Sequence, residues 1–167
     1  MEQSKILKIS DLVEDLTAPR WVEYPAIPGV KVLLRMPDIP ESTKLVAKAS
    51  QPDGQGGFTI DWVEFHDLLM RYALVDWEGL KVKHLVVFFP GHKLIIEDPQ
   101  AGTPAPLGEA ELAYCAENRD FLLSQSSGFF NWLHQAVREW DEKLRAQEEA
   151  DKENLSATPN TTPTPSA

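Results

Sequence analysis

The chain has 167 residues, of which 43% are hydrophobic and 25% charged, a composition typical of one globular domain and not of a fibrous protein. Its 26 acidic and 16 basic residues give a net charge of −10, which would repel a phosphate backbone, so we expect no nucleic acid partner. No stretch approaches the roughly 20 apolar residues of a membrane-spanning helix, and Cys115 is the single cysteine, so we expect a cytoplasmic protein without membrane contacts or internal disulfides.

The first third of the chain predicts short elements separated by prolines. Apolar residues recur at helical spacing within residues 1–18, which indicates a short helix or a pairing arm. Two extended runs joined by Pro-Ala-Ile-Pro-Gly predict a β-hairpin over residues 21–35. A short helix is expected over residues 40–50, and the glycine-rich residues 51–57 are expected to form a flexible loop.

The stretch TIDWVEFHDLLMRYALVDWEGL predicts a central amphipathic helix over residues 59–78. Its apolar residues recur at steps of three or four, the spacing of one buried helix face. Thr59 is expected to cap the start, and Gly79 offers a left-handed stop. Trp62 and Trp77 lie in or beside the apolar stripe, so we expect both to pack in the core.

Beyond Gly79 the pattern changes to that of a second hairpin, predicted over residues 82–96. Its first strand would be LVVFF, residues 85–89, and its turn Pro-Gly-His at residues 90–92. An uncharged apolar strand with an open edge promotes aggregation, so we expect a helix or a partner to cover it. A proline- and glycine-rich linker is expected over residues 97–108.

The last third predicts C-terminal helices over residues 109–150. A first helix runs to residue 125 with a bend near Cys115, and a second begins near Phe129 with Ser127 as its cap. Residues 154–167 have too few apolar side chains to offset the entropy lost on ordering, which predicts a disordered tail. The expected fold is α+β and mainly α-helical, with one globular domain over residues 1–153 and one or two β-hairpins.

The sequence lacks the motifs of enzymes and metal proteins. It contains no HExxH, CxxC, phosphate-binding loop or dinucleotide fingerprint, so we predict no metal, no cofactor and no catalysis. His84 and His92 are expected to pair across the second hairpin, and Cys115 to be a half-buried thiol in a helix. An enzyme with an unrecognised site that uses His66, His134 or Cys115 is the least favoured alternative.

Several short motifs occur in a recognisable order. These are PGVKVLLR, a Pro-Glu-Ser-Thr helix start, VDWEGL, AENRDFLLSQ and FFNWLHQAVREW. Over residues 29–144 this order resembles the tail assembly chaperones of long-tailed bacteriophages, in which a W-x-G turn follows the middle helix and an EN-x-x-x-LL helix precedes a Phe-rich one. The matching positions are Asp76, Trp77, Glu78 and Gly79 for the turn and Glu117, Asn118, Leu122 and Leu123 for the helix.

The resemblance implies a monomer or small oligomer that acts in the host cytoplasm and is absent from the mature virion. Such a protein coats the tape measure protein and keeps it soluble until the major tail protein polymerises around it, and a ribosomal frameshift often produces a longer form. The partner-binding residues would then be Trp77, Phe129, Phe130, Leu133, Val137 and Trp140.

The insert at residues 82–96 departs from the family, whose usual connection there is short and polar. It supports a structural alternative, a head–tail connector or minor tail component that assembles through the exposed strand edge of residues 85–89.

Overall fold

The computed structural model describes residues 18–91 and 107–156, and it confirms the mainly helical α+β class. Small antiparallel sheets accompany the helices. The helix or arm predicted at the N-terminus, most of the linker and the second arm of the hairpin predicted over residues 82–96 lie outside the described residues. In the part that is described, no helix combines the length and the apolar character needed to cross a membrane.

The first hairpin is confirmed. β1 (Arg20–Glu23) and β2 (Lys31–Leu34) are antiparallel, and the turn between them is closed by the bond from Tyr24 N to Val30 O. β5 (Leu74–Glu78) pairs with the other side of β2, so β2 is central and the strand order is β1-β2-β5. A central strand has both edges paired, so its backbone groups are satisfied without solvent.

The predicted central helix is shorter than expected. α2 spans Trp62–Ala73, and the chain then becomes strand β5, so the prediction of a helix to residue 78 was wrong. The helical spacing of Tyr72 and Asp76 is overridden because β2 offers a free edge to which residues 74–78 bond, placing Trp77 opposite Val32. Gly79 adopts the expected left-handed conformation, with φ of +74°, but it ends a strand and not a helix.

A second hairpin forms where a flexible loop was predicted. α1 (Ile39–Ala49) leads into β3 (Ser50–Pro52), which pairs with β4 (Phe58–Ile60). The Asp53 carboxylate accepts hydrogen bonds from the backbone N–H groups of Gln55 and Gly57, which organises the intervening turn. Asp61, not Thr59, caps α2 by accepting from the N–H groups of residues 63 and 64.

The apolar run LVVFF does not form a strand, which corrects the second predicted hairpin. A 3₁₀ turn at Val82–His84 is followed by one helical turn, α3 (Leu85–Phe88). The helical turn buries Phe88, which stacks on Tyr24 at 5.5 Å, while Val86 and Val87 remain exposed. His84 Nδ1 accepts from Lys81 N within its own turn. His92 lies outside the described residues, so the predicted pairing of His84 with His92 stays a prediction.

The first C-terminal helix starts later than predicted. After a 3₁₀ turn at Leu107–Glu109, residues 110–112 run antiparallel to residues 80–82, and α4 spans only Ala116–Gln125. The extended course is fixed by two bonds of 2.6 and 2.7 Å, from Trp77 Nε1 to Leu112 O and from Tyr114 Oη to Leu74 O. Cys115 is an exposed N-cap of α4 and not a half-buried thiol within a helix.

An ion-pair network joins α2 to α4. Arg71 contacts Asp67 on its own helix at 2.6 Å and Asp120 on α4 at 2.7 Å, and Arg119 also contacts Asp120. The hydrogen bond from Arg119 and the charge of Arg71 lower the pKa of the Asp120 carboxyl. These contacts fix α4 against the C-terminal half of α2, a pairing that no local pattern indicates.

The long C-terminal helix is confirmed. α5 spans Ser127–Ser156, and its start is stabilised by Ser126, whose Oγ accepts from Phe129 N, instead of by Ser127. Residues 154–156 are helical, so the tail predicted from residue 154 starts too early, and residues 157–167 lie outside the described part.

The buried core joins the sheet to α2, α4 and α5. Its residues are Tyr24, Ile27, Val30, Val32, Leu34, Met70, Ala73, Leu74, Trp77, Leu80, Phe88, Leu122, Leu123, Phe129, Leu133, Val137 and Trp140.

Candidate functional site

A groove of about 360 Å³ lies between α2, α5 and the start of α1. Each of the two longer helices lines it mainly through residues three or four apart, the spacing that places side chains on one helix face. The lining residues are Met36, Pro37, Ser42, Phe65, His66, Leu69, Met70, His134, Val137, Arg138, Asp141 and Arg145. The groove is thus an opening between helix faces that the core leaves incompletely covered.

The floor of the groove is apolar and its α5 rim is charged. Leu69 and Met70 come from α2, whereas Arg138 and Arg145 stand on α5. Arg145 contacts Asp141 at 2.8 Å, an i,i+4 pair that helps to hold the rim in helical register. A groove of this kind can bury the apolar face of a helix while the charged edge stays hydrated.

Two histidines meet inside the groove. The rings of His66 on α2 and His134 on α5 pack edge to face, with centroids 4.8 Å apart. Burial lowers the pKa of His134, and the charges of His66 and Arg138 lower it further. The sequence places these residues 68 positions apart, so only the packing of α2 on α5 brings them together.

An exposed aromatic surface continues from the groove along α2. Trp62 packs edge to face on Phe65 at 5.7 Å, and Phe65 in turn contacts His66. Trp62 is 59% exposed, so the prediction that it packs in the core was wrong. Because α2 begins at Trp62, its first turn projects beyond the core, and Val63 in that turn is exposed as well. Phe58 on the preceding strand β4 is also exposed.

The predicted partner-binding residues lie mainly in the core, not on an accessible surface. Phe130 is half-buried and packs against the core, and the other five are buried: Trp77, Phe129, Leu133, Val137 and Trp140. The reason is that the apolar face of α5 is turned toward the sheet and α4. The helical spacing of these residues therefore reflects packing in the core and not a partner-binding surface. Val137 alone among them also lines the groove.

The groove offers apolar and charged contacts to the face of a helix. Within residues 18–91 and 107–156 there is no cluster of three or more His, Cys, Asp or Glu side chains that could hold a metal ion. Of the three residues named for an unrecognised enzyme site, the structure joins His66 to His134, while Cys115 instead caps α4 and does not line the groove. The groove was not predicted from the sequence. The signal that could have indicated it is the polar edge of two otherwise apolar helix faces.

We expect the stability of the protein to fall as pH is lowered through the range in which His134 would be protonated in the unfolded chain. Its folded pKa lies below the ordinary value of 6.5, so the unfolded state binds more protons and acid favours unfolding. The loss should begin near pH 6.5 and level off below the folded pKa. The facing groups are His66, Arg138 and Asp141. Neutral His134→Gln should reduce the dependence without abolishing it, because burial also lowers the pKa of His84.

The measurement is the urea midpoint of both proteins between about pH 7.5 and pH 5. His66→Gln removes one of the groups that face His134, so it should reduce the pH slope only in part. If the wild type and His134→Gln lost stability in parallel, His134 would titrate with an unperturbed pKa in the folded state.

The motif positions that carry the family resemblance are structural in this chain. Trp77 lies in β5 and Gly79 directly follows that strand, Leu122 and Leu123 are buried on α4, and Asn118 Nδ2 donates to Ala113 O beside the α4 cap. No family model, curated protein or solved structure matches the chain.

Proposed function

We propose that this protein is a tail assembly chaperone of a long-tailed bacteriophage that binds the tape measure protein in the host cytoplasm and is not part of the virion. Its role is binding and not catalysis. The observation that carries the proposal is the open apolar groove between α2 and α5, flanked by an exposed aromatic surface on α2. The family named in the proposal rests on the order of motifs over residues 29–144.

The groove supports binding of a helix. A partner helix presents apolar side chains at steps of three, four and seven residues, and an apolar floor bordered by a charged rim receives such a stripe. Leu69 and Met70 would lie beneath the stripe, and Arg138 and Arg145 beside its polar edge. A tape measure protein, long and helical, has repeated stripes of this kind that need cover before the tail forms.

Trp62 supports the same assignment. Exposed tryptophan is the residue type most enriched among side chains that dominate binding energy at interfaces. Its ring is held by Phe65, which limits the rotamer entropy lost on binding. Trp62 therefore extends the apolar floor beyond the groove and gives a longer surface for a partner helix.

The structural alternative loses its basis. A head–tail connector or minor tail component was proposed to assemble through an exposed strand at residues 85–89, and those residues form α3 and its C-cap instead. The chaperone remains the single proposal, with the tape measure protein as its partner and the major tail protein as a second, later contact.

The test is co-expression with the tape measure protein, which the proposal expects to be a very long helical protein encoded near this gene, scored by how much of it is recovered in a soluble complex. Trp62→Ala should reduce recovery about tenfold or more, because loss of an interface tryptophan costs at least the ~1.4 kcal/mol that corresponds to tenfold. Trp21→Ala is the matched control, since Trp21 is 46% exposed on β1 and does not line the groove.

If Trp62→Ala and Trp21→Ala gave equal recovery of the partner, Trp62 would not be part of the interface. Failure of the wild-type protein to form any complex, together with its presence in purified particles, would overturn the chaperone assignment itself.

A further inference from the structure

A second cavity, of about 210 Å³, lies between α5 and the β1–β2 hairpin. Its walls are the apolar side chains of Val22, Leu34 and Ala136 together with Trp140, and its edge carries three charged residues, Arg20, Glu139 and Lys143. None of these residues belongs to the groove between α2 and α5, so this site is separate from the proposed binding site for the tape measure protein.

Trp140 is the unusual member of the cavity wall. It is 8% exposed, and its indole Nε1 is buried without a hydrogen-bond acceptor in the described part of the chain. Buried polar groups of folded proteins nearly always have a partner, so an unpaired N–H beside a cavity points to an acceptor supplied by something that binds there. The Arg20 guanidinium lies over the same ring, 5.1 Å from its centroid.

The edge of the cavity is locally basic in a strongly acidic protein. Arg20 and Lys143 are exposed and form no ion pair with another described residue, whereas Glu139 accepts a hydrogen bond from Gln135. Two cations without an ion pair to a described residue, beside an apolar wall, favour a ligand that combines apolar side chains with carboxylates.

Residues 1–17 have this chemistry and are attached at the cavity. Their sequence contains ISDLVEDL, residues 9–16, which combines four apolar residues with three acidic ones. The segment joins β1 just before Arg20, and since a chain spans at most about 3.5 Å per residue, Leu12 lies within about 28 Å of the cavity edge. A tethered segment also has a high effective concentration for a site so close to its attachment.

We propose that residues 1–17 bind in this cavity. The apolar side chains of residues 9–16 pack against Val22 and Ala136, the acidic side chains lie beside Arg20 and Lys143, and a main-chain carbonyl supplies the acceptor for Trp140 Nε1. This contact covers the β1 side of α5 and is independent of the proposed function.

The test places a nitroxide spin label on the full-length, ¹⁵N-labelled protein and observes the Trp140 indole N–H resonance, assigned by its loss in Trp140→Phe. Cys115→Ser removes the native thiol and retains an N-cap side chain that Ser supplies well. The label is attached at Ser10→Cys, or at Gln55→Cys in the β3–β4 turn as control. The label at residue 10 should remove most of the Trp140 indole intensity, and the label at residue 55 should leave it unchanged.

Leu12→Asp in the Ser10→Cys protein should restore the resonance, whereas Ser4→Asp should not. Lys143→Glu in the Ser10→Cys protein should also restore the resonance. Because Lys143 is exposed, this substitution leaves the core intact and remains usable if Trp140→Phe folds poorly. An undiminished resonance with the label at residue 10 would overturn the proposal. So would broadening that appears when labelled unenriched protein is mixed with ¹⁵N protein, because the occupant would then be a second copy.

Discussion

Trp77→Ala is expected to lower the free energy of unfolding by about 3–5 kcal/mol, the usual cost of truncating a buried large aromatic side chain. Trp77 is 6% exposed and packs edge to face on Tyr114 with ring centroids 4.9 Å apart. Its Nε1 donates to Leu112 O at 2.6 Å, so the substitution also leaves that carbonyl without its partner. Urea unfolding followed by far-UV circular dichroism measures the change.

Trp62→Ala is the matched control for the stability effect. Because Trp62 is exposed, its loss should change the free energy of unfolding by no more than about 0.5 kcal/mol. The two substitutions are therefore expected to have different effects: Trp77→Ala lowers stability, and Trp62→Ala lowers recovery of the partner. Normal stability of Trp77→Ala together with lost partner binding would place Trp77 at the interface instead of in the core.

Gly79→Ala is expected to destabilise the protein by more than the ~1–2 kcal/mol that an alanine in the left-handed region costs. Gly79 has φ of +74°, and a Cβ atom there would lie 2.5 Å from the backbone oxygen of Gly29. Relief of that contact requires the β1–β2 turn to move away from the end of β5. The measurement is the urea midpoint, with the thermal midpoint as a second observable.

Gly29→Ala separates the two causes of the Gly79 effect. Gly29 has φ of +84°, but a Cβ atom there would meet nothing within 4 Å, so only the conformational cost applies. The difference between the two variants measures the close approach of the turn to β5. If they destabilised the protein equally, the contact between Gly79 and Gly29 would relax without cost.

The elements predicted correctly are those whose pattern is local and repeated. α5 carries Leu133, Val137, Trp140 and Leu144 at helical spacing over several turns, and the first hairpin is bounded by prolines that forbid continuation. The same spacing misled the interpretation of α5 as a binding surface, because periodicity shows that a face is buried without showing what covers it.

The elements predicted wrongly depend on distant residues. Residues 74–78 read as helix until β2 pairs with them, and residues 110–114 read as helix until Leu112 and Tyr114 bond to β5 and its flank. The candidate site shares this property, since His66 and His134 form one surface only through the packing of two helices.

The sequence by itself determined the mainly helical α+β class, the hairpin at residues 20–34 and the long C-terminal helix, because backbone propensity and hydrophobic period act over neighbouring residues. Only the tertiary structure decided that the chain after Ala73 becomes a strand, that LVVFF becomes a helical turn and that Trp62 faces solvent while Trp77 does not. The physical reason is that burial and strand pairing are satisfied between residues far apart in the chain, and these long-range contacts outweigh local preferences of a few tenths of a kcal/mol per residue.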